Sequence, residues 1–146
     1  MSPQETMDVE ELIECLNRAL RLQHRSVLQY SLVGGSVIGL EYQAHAEKMR
    51  RHALAELEDA MRLVEKIVAL GGEPSTDIAP MEFIADPAKA LDTLIECEAD
   101  TLEAMQAAIE PTGREAASEA VEHRLEHMIM RKQEQVDYLL RASRRP

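Results

Sequence analysis

Apolar residues return every three or four positions in four separate stretches of the chain, the period of a helix that buries one face. Leu12, Leu16, Ala19, Leu20, Val27 and Tyr30 make the first stripe. Asp8 with Glu11 forms a capping-box pattern ahead of it, and the spacing predicts a helix over 8–38. A second stripe, Met49, Ala53, Ala60, Leu63, Ile67 and Leu70, predicts 43–70 and stops at Gly71, Gly72 and Pro74. Asp86 and Pro87 are an N-cap followed by proline at the first helical position. They open a third stripe of Leu91, Leu94, Ile95, Leu102, Met105 and Ile109 over 87–110, closed by Pro111 and Gly113. Thr112 with Glu115 repeats the capping box and predicts a fourth helix over 113–143, with Leu125, Met128, Ile129, Val136, Leu139 and Leu140 on its apolar face.

No segment alternates polar and apolar for long enough to be a strand, so the expected architecture is all-α: a four-helix bundle in one domain, 1–146. Short connections near 39–42 and 110–113 pair helices one with two and three with four as antiparallel hairpins. The connection over 72–86 reaches roughly 45 Å at full extension. The second helix is roughly 40 Å long. A long crossover between helices two and three that runs the length of the bundle is therefore expected.

Every stripe is broken near its middle by a polar residue. Gln23 interrupts the first helix, Glu56 and Asp59 the second, Glu98 the third, and Lys132 with Gln135 the fourth. Gln23 and Glu56 are 33 residues apart, and Glu98 and Lys132 are 34 apart, so two similar hairpins place these side chains at one depth. An isolated charge in an apolar layer costs several kcal/mol, so such a layer persists only if its members pair, protonate or hold a metal.

Around these positions the chain resembles the bacterioferritins. "CLNRALRLQHRSVLQY", residues 15–30, is similar to that family's first helix, and the likeness continues through "LVEKIVALGGEP" and "VDYLL" over about residues 10–140. The resemblance implies a ferritin-like four-helix bundle and the iron storage and iron oxidation of that family. It also implies that Gln23 stands where the first-helix glutamate ligand belongs, and Glu56 and Asp59 where a Glu-x-x-His pair belongs. Glu98 stands at the third-helix glutamate, and Lys132 and Gln135 at the second Glu-x-x-His. Only Glu56 and Glu98 keep the family residue.

Three carboxylates and one ammonium sum to −2, which suits at most one divalent ion. Lys132 as a substitute cation would suit none. Three states of the layer follow: a metal-free ion network, one hard cation such as iron or another divalent metal held by oxygens, or a working two-iron centre. Reduced or lost ferroxidase chemistry is the expectation, with Glu56, Asp59, Glu98, Gln23 and Gln135 as the metal-side residues. The alternative is a metal-free helical-bundle dimer acting as a structural or partner-binding protein. The family's heme is held by a methionine directly after the second-helix glutamate; here that residue is Leu57, so heme is not expected. His24 lies near the same surface and reads as an ordinary interface histidine. The family's short fifth helix, which helps close its cage, has no counterpart before Pro146, so a dimer is expected ahead of a 24-subunit shell.

With 27 acidic against 16 basic residues and a formal charge of −11, the chain repels nucleic acid and anionic membrane and favours cations. Tyr30, Tyr42, Tyr138 and Phe83 are the only aromatic residues, too few for a base-stacking surface. The opening "MSPQETMDVEEL" lacks the basic-then-apolar order of an export leader, and the least polar window, 26–40, contains Gln29, three serines and three glycines. Cys15 and Cys97 read as buried thiols of a cytoplasmic protein rather than a disulfide framework. "HRLEH", residues 123–127, spells a zinc-protease pattern. His123 and His127 lie about 140 to 180° around the helix from Lys132, however, so a solvated face is expected. His45 and His52 read as structural or solvated, and the eight methionines as core filler.

Overall fold

The computed structural model describes residues 7–143. Part of the opening stretch read for a leader, and the ends of the domain 1–146, lie outside the described residues. Within them the chain forms four long helices: α1 (Val9–Ser36), α2 (Gln43–Ala69), α3 (Pro87–Ile109) and α4 (Ala116–Ser143). A single 3-10 turn, Leu40–Tyr42, leads into α2.

The local signals act through identifiable hydrogen bonds. The Asp8 carboxylate accepts from the Glu11 amide at 3.1 Å and starts α1; the Asp86 carboxylate accepts from Lys89 at 3.0 Å and starts α3. Gly71, with φ of 84°, ends α2. Its amide donates to Val68 and that of Gly72 to Ile67, both at 2.9 Å, the paired closure that a left-handed residue permits. Helix α4 begins later than the capping box implied. The Thr112 hydroxyl donates to the Ile109 carbonyl at 2.6 Å and so closes α3 instead of capping α4, while the Gly113 amide donates to the Ser118 hydroxyl.

Contacts along the helices give their directions. Gly34 of α1 sits against Ala46 and Arg50 of α2, Gln23 against Glu56, and Ile13 against Gly72 beyond the end of α2, so α1 and α2 are antiparallel. Ser26 meets Glu98, while Asp8 meets Pro111 just past α3, so α1 and α3 are antiparallel too. Helices α2 and α3 therefore point the same way, and the chain must return the length of the bundle between them.

It does so along α1. Asn17 accepts from the Ser75 amide at 2.7 Å and donates to the Glu73 carbonyl at 3.0 Å, and the Ala79 amide donates to the Arg21 carbonyl at 3.2 Å. Ile84 then packs into the core beside Tyr30 and Leu91.

The apolar core comes in two parts. One is built from residues such as Leu12, Leu16, Leu63, Ile67, Met105, Leu125 and Met128. The other gathers Tyr30, Val33, Met49, Leu91, Leu94 and Leu139. On each helix buried polar side chains lie between these two groups: Gln23 and Ser26 on α1, His52, Glu56 and Asp59 on α2, Glu98 on α3, and Lys132 and Gln135 on α4.

Candidate functional site

Lys132 is fully buried, and its position follows from α4 alone: Met128, Val136 and Leu139 before and after it face the core, so the helix carries the intervening side chain inward. A buried ammonium requires acceptors for its three protons. Lys132 Nζ donates to Glu56 Oε2 at 2.8 Å and to Glu98 Oε2 and Oε1 at 2.9 and 3.1 Å. Both carboxylates have no exposed surface.

The remaining acceptor capacity of the two carboxylates is met by neutral donors. Glu98 Oε1 accepts from the Ser26 hydroxyl at 2.6 Å and Oε2 from the Tyr30 hydroxyl at 3.0 Å. Glu56 Oε1 accepts from Gln135 Nε2 at 2.6 Å, and that same amide reaches Tyr30 at 3.2 Å. Gln23 Nε2 donates to Glu56 Oε2 and, at 3.0 Å, to the Glu56 backbone carbonyl. Gln23 Oε1 is a buried acceptor without a partner.

The electrostatics act differently on each group. Burial pushes the Lys132 ammonium toward losing its proton, but Glu98 and Glu56 more than offset that and hold its pKa above the ordinary lysine value. Burial also pushes Glu56 up; the adjacent Lys132 and Arg131 overcome it and keep this carboxyl below the usual range. At Glu98 burial prevails over Lys132, helped by the charge of Glu56, and the carboxyl lies above its ordinary value. Tyr30 is driven far upward by burial and by both glutamates, which keeps it a neutral donor.

Asp59 does not join Lys132, as the pattern of stripe breaks had suggested. It is 8% exposed and accepts from Arg131, whose guanidinium also donates to Gln135 and lies 3.7 Å from Glu56. Arg131 was not among the residues picked out from the sequence. One position before Lys132 it reads as a solvated charge, yet its long stem carries the head back to α2. With Arg131 counted, three carboxylates face two cations, leaving one net negative charge where −2 was expected. Ser26 and the Tyr30 hydroxyl were missed as well, the first because serine reads as neutral on a stripe and the second because tyrosine reads as apolar.

His52 is buried between Tyr30 and Tyr138, with ring centres 5.3 and 5.9 Å away. Burial, with Lys48 nearby, pushes its pKa down to about 4, and its Nε2 has no partner. His45 pairs with the Tyr138 hydroxyl. His123 and His127 are exposed on α4. Among the described residues no group of three or more His, Cys, Asp or Glu side chains is placed to hold a metal ion.

A profile of the ferritin-like domain matches residues 13–142, and the chain belongs to that family. No curated protein matches it in sequence. Among solved structures it is similar to ferritin-like, diiron-carboxylate proteins from Bacillus anthracis str. Ames, with 26% identity and a TM-score of 0.86. That match covers 95% of this chain and 99% of the other. The bacterioferritin of Rhodobacter capsulatus, solved with a metal-free dinuclear site and heme iron, has 23% identity and a TM-score of 0.76 over 89% of this chain and 81% of its own. BfrA from M. tuberculosis has 21% identity and a TM-score of 0.79 over 88% and 80%. The last two likenesses concern the fold alone.

Proposed function

We propose that this is a bacterioferritin-like protein of the iron-binding branch of its family, whose di-iron ferroxidase chemistry is reduced or lost because a lysine stands in for the metal. The observation that carries this reading is the Lys132 ammonium, fully buried and bonded within 3.1 Å to both Glu56 and Glu98. Those are the two carboxylates that keep the family's ligand identity. The donor set does not fit a pair of divalent ions. Glu56 and Glu98 already have their oxygens committed, Asp59 is held by Arg131, and Gln23 and Gln135 offer only neutral amides. Bound iron would have to displace Lys132 first. That breaks the ion pairs with Glu98 and Glu56 that offset the burial of its ammonium.

Heme is not part of this reading, since Leu57 presents no ligand atom to an iron. Cys15 and Cys97 are half-buried rather than buried as expected, both are free thiols, and that supports a cytoplasmic setting. No helix among the described residues is long and apolar enough to cross a membrane. A homodimer is supported by a line of exposed apolar side chains on α2, Leu54, Leu57, Met61 and Val68, with Leu28 and Leu32 exposed on α1.

The test is aerobic Fe(II) oxidation followed by ultraviolet absorbance, with metal content measured before and after. The chain should show no catalytic turnover, and Lys132→Glu with Gln135→His should gain iron affinity. Turnover by the unsubstituted chain with two irons per protein would overturn the reading.

A further inference from the structure

We infer that the groove between α2 and α4, beside the Lys132 layer, binds a divalent oxyanion of the phosphate class. The groove has about 420 Å3 of room. Helical spacing builds its walls: Lys48, Arg51 and His52 return to one side of α2, and Arg131, Tyr138 and Arg141 to one side of α4. Four cations thus face a single carboxylate in the lining, Glu134, in a chain whose charge is −11. Two of the four are answered by acids just beyond the groove, Arg51 by Glu47 at 3.5 Å and Arg131 by Asp59. Lys48 and Arg141 form no ion pair among the described residues, and the Lys48 ammonium sits 5.3 Å from the centre of the Tyr138 ring. A local surplus of positive charge in an acidic chain is a place where an anion gathers.

A second observation is independent of that charge. His52 lines the same groove and is only 8% exposed, yet its Nε2 has no hydrogen-bond partner. A buried nitrogen left unpaired is costly, so an oxygen from outside the chain completes it. Burial keeps the ring neutral at neutral pH, and it can offer an N–H without adding charge. The cations around it favour an anionic oxygen over that of water. Phosphate presents several acceptor oxygens at once, which suits the forked guanidinium groups of Arg131 and Arg141 and the ammonium of Lys48. Glu134 can accept the proton that hydrogen phosphate keeps and sulfate lacks. Arg131 also belongs to the Glu56 network, but an anion here needs neither iron nor its absence, so the groove stands whatever the Lys132 layer does.

The full chain, free of iron, is titrated calorimetrically with inorganic phosphate at constant ionic strength in chloride, and in separate runs with sulfate and with phenyl phosphate. One phosphate per chain is expected, bound more tightly than sulfate. Each charge-assisted hydrogen bond that is lost should weaken binding by about tenfold or more. Lys48→Gln with Arg141→Gln is thus expected to weaken phosphate by about a hundredfold or more, and His52→Phe by about tenfold. Lys48 and Arg141 both reach solvent, so far-ultraviolet dichroism should be unchanged by their loss. Arg18→Gln with Lys89→Gln removes the same charge from exposed positions elsewhere and should leave binding as it was. Tighter binding of phenyl phosphate than of inorganic phosphate would assign the groove to a phosphate ester, and the reverse order to free phosphate. No saturable binding, an equal loss in the Arg18 and Lys89 variant, sulfate bound as tightly, or a folded His52→Phe chain that binds phosphate unchanged would overturn the site.

Discussion

At the scale of single residues, the consequence of burying Lys132 is an asymmetry between removing one charge and removing all of them. Lys132→Met leaves Glu56 and Glu98 facing each other without the ammonium, and breaking a buried pair in this way costs about 3–5 kcal/mol. Arg131, 3.7 Å from Glu56, offsets part of that on one side only. Adding Glu56→Gln and Glu98→Gln to Lys132→Met should return part of the loss, because neutral amides remove the repulsion and each keeps one acceptor oxygen for the donors around it. Urea denaturation followed by dichroism measures both variants; a triple substitution no more stable than the single one would contradict the charge account. His52 makes a separate prediction about pH. Its pKa falls from 6.5 when unfolded to about 4 when folded, so the unfolded chain takes up a proton first as the solution is acidified. The stability its neutral form contributes is complete above about pH 6.5 and is lost as the pH falls toward about 4. His52→Gln should flatten the urea midpoint across that window.

At the scale of the elements, the weak joint is the crossover between α2 and α3, which has no secondary structure of its own and is held to α1 by a few side chains. Asn17 makes two of these bonds, to Ser75 and Glu73. At about 0.5–1.5 kcal/mol for each hydrogen bond, Asn17→Ala should cost about 1–3 kcal/mol. The same change should accelerate amide exchange at Ser75 and Ala79 while the interior of α2 stays protected. Exchange spread evenly over the helices would refute the local account. Most of the elements were legible in the sequence, because Asp8, Asp86, Pro87 and Gly71 each have a fixed backbone job and an apolar stripe confirms it. The start of α4 was not, since a Thr112 hydroxyl can serve either of two neighbouring helices and only the geometry of the turn decides. The site divides in the same way. Its inward-facing charges and amides showed as breaks in periodicity, whereas the Ser26 and Tyr30 hydroxyls did not, and Arg131 enters by the length of its side chain, which no stripe records.

At the scale of the whole molecule, strong net charge and an uncovered apolar line oppose each other, and that opposition predicts how association depends on salt. Leu54, Leu57, Met61 and Val68 leave α2 exposed along one line. Burying the exposed half of side chains of this size in a second copy yields about 1 kcal/mol each, less the cost of ordering the contact. Two copies that each carry −11 repel one another, and this repulsion is long-ranged only when ions are scarce. Raising the ionic strength from about 0.01 M to 0.15 M shortens the screening length from about 30 Å to 8 Å. The apolar contact hardly changes over that range, so the proposed homodimer should become tighter with salt. Light scattering across that range should show the mass moving from one chain toward two, and Leu54→Glu with Leu57→Glu should hold it at one. A dimer that salt dissociates would instead be held by ion pairs and would place the interface on another face. A mass near 24 chains would mean that this fold assembles a shell without an intact di-iron ligand set.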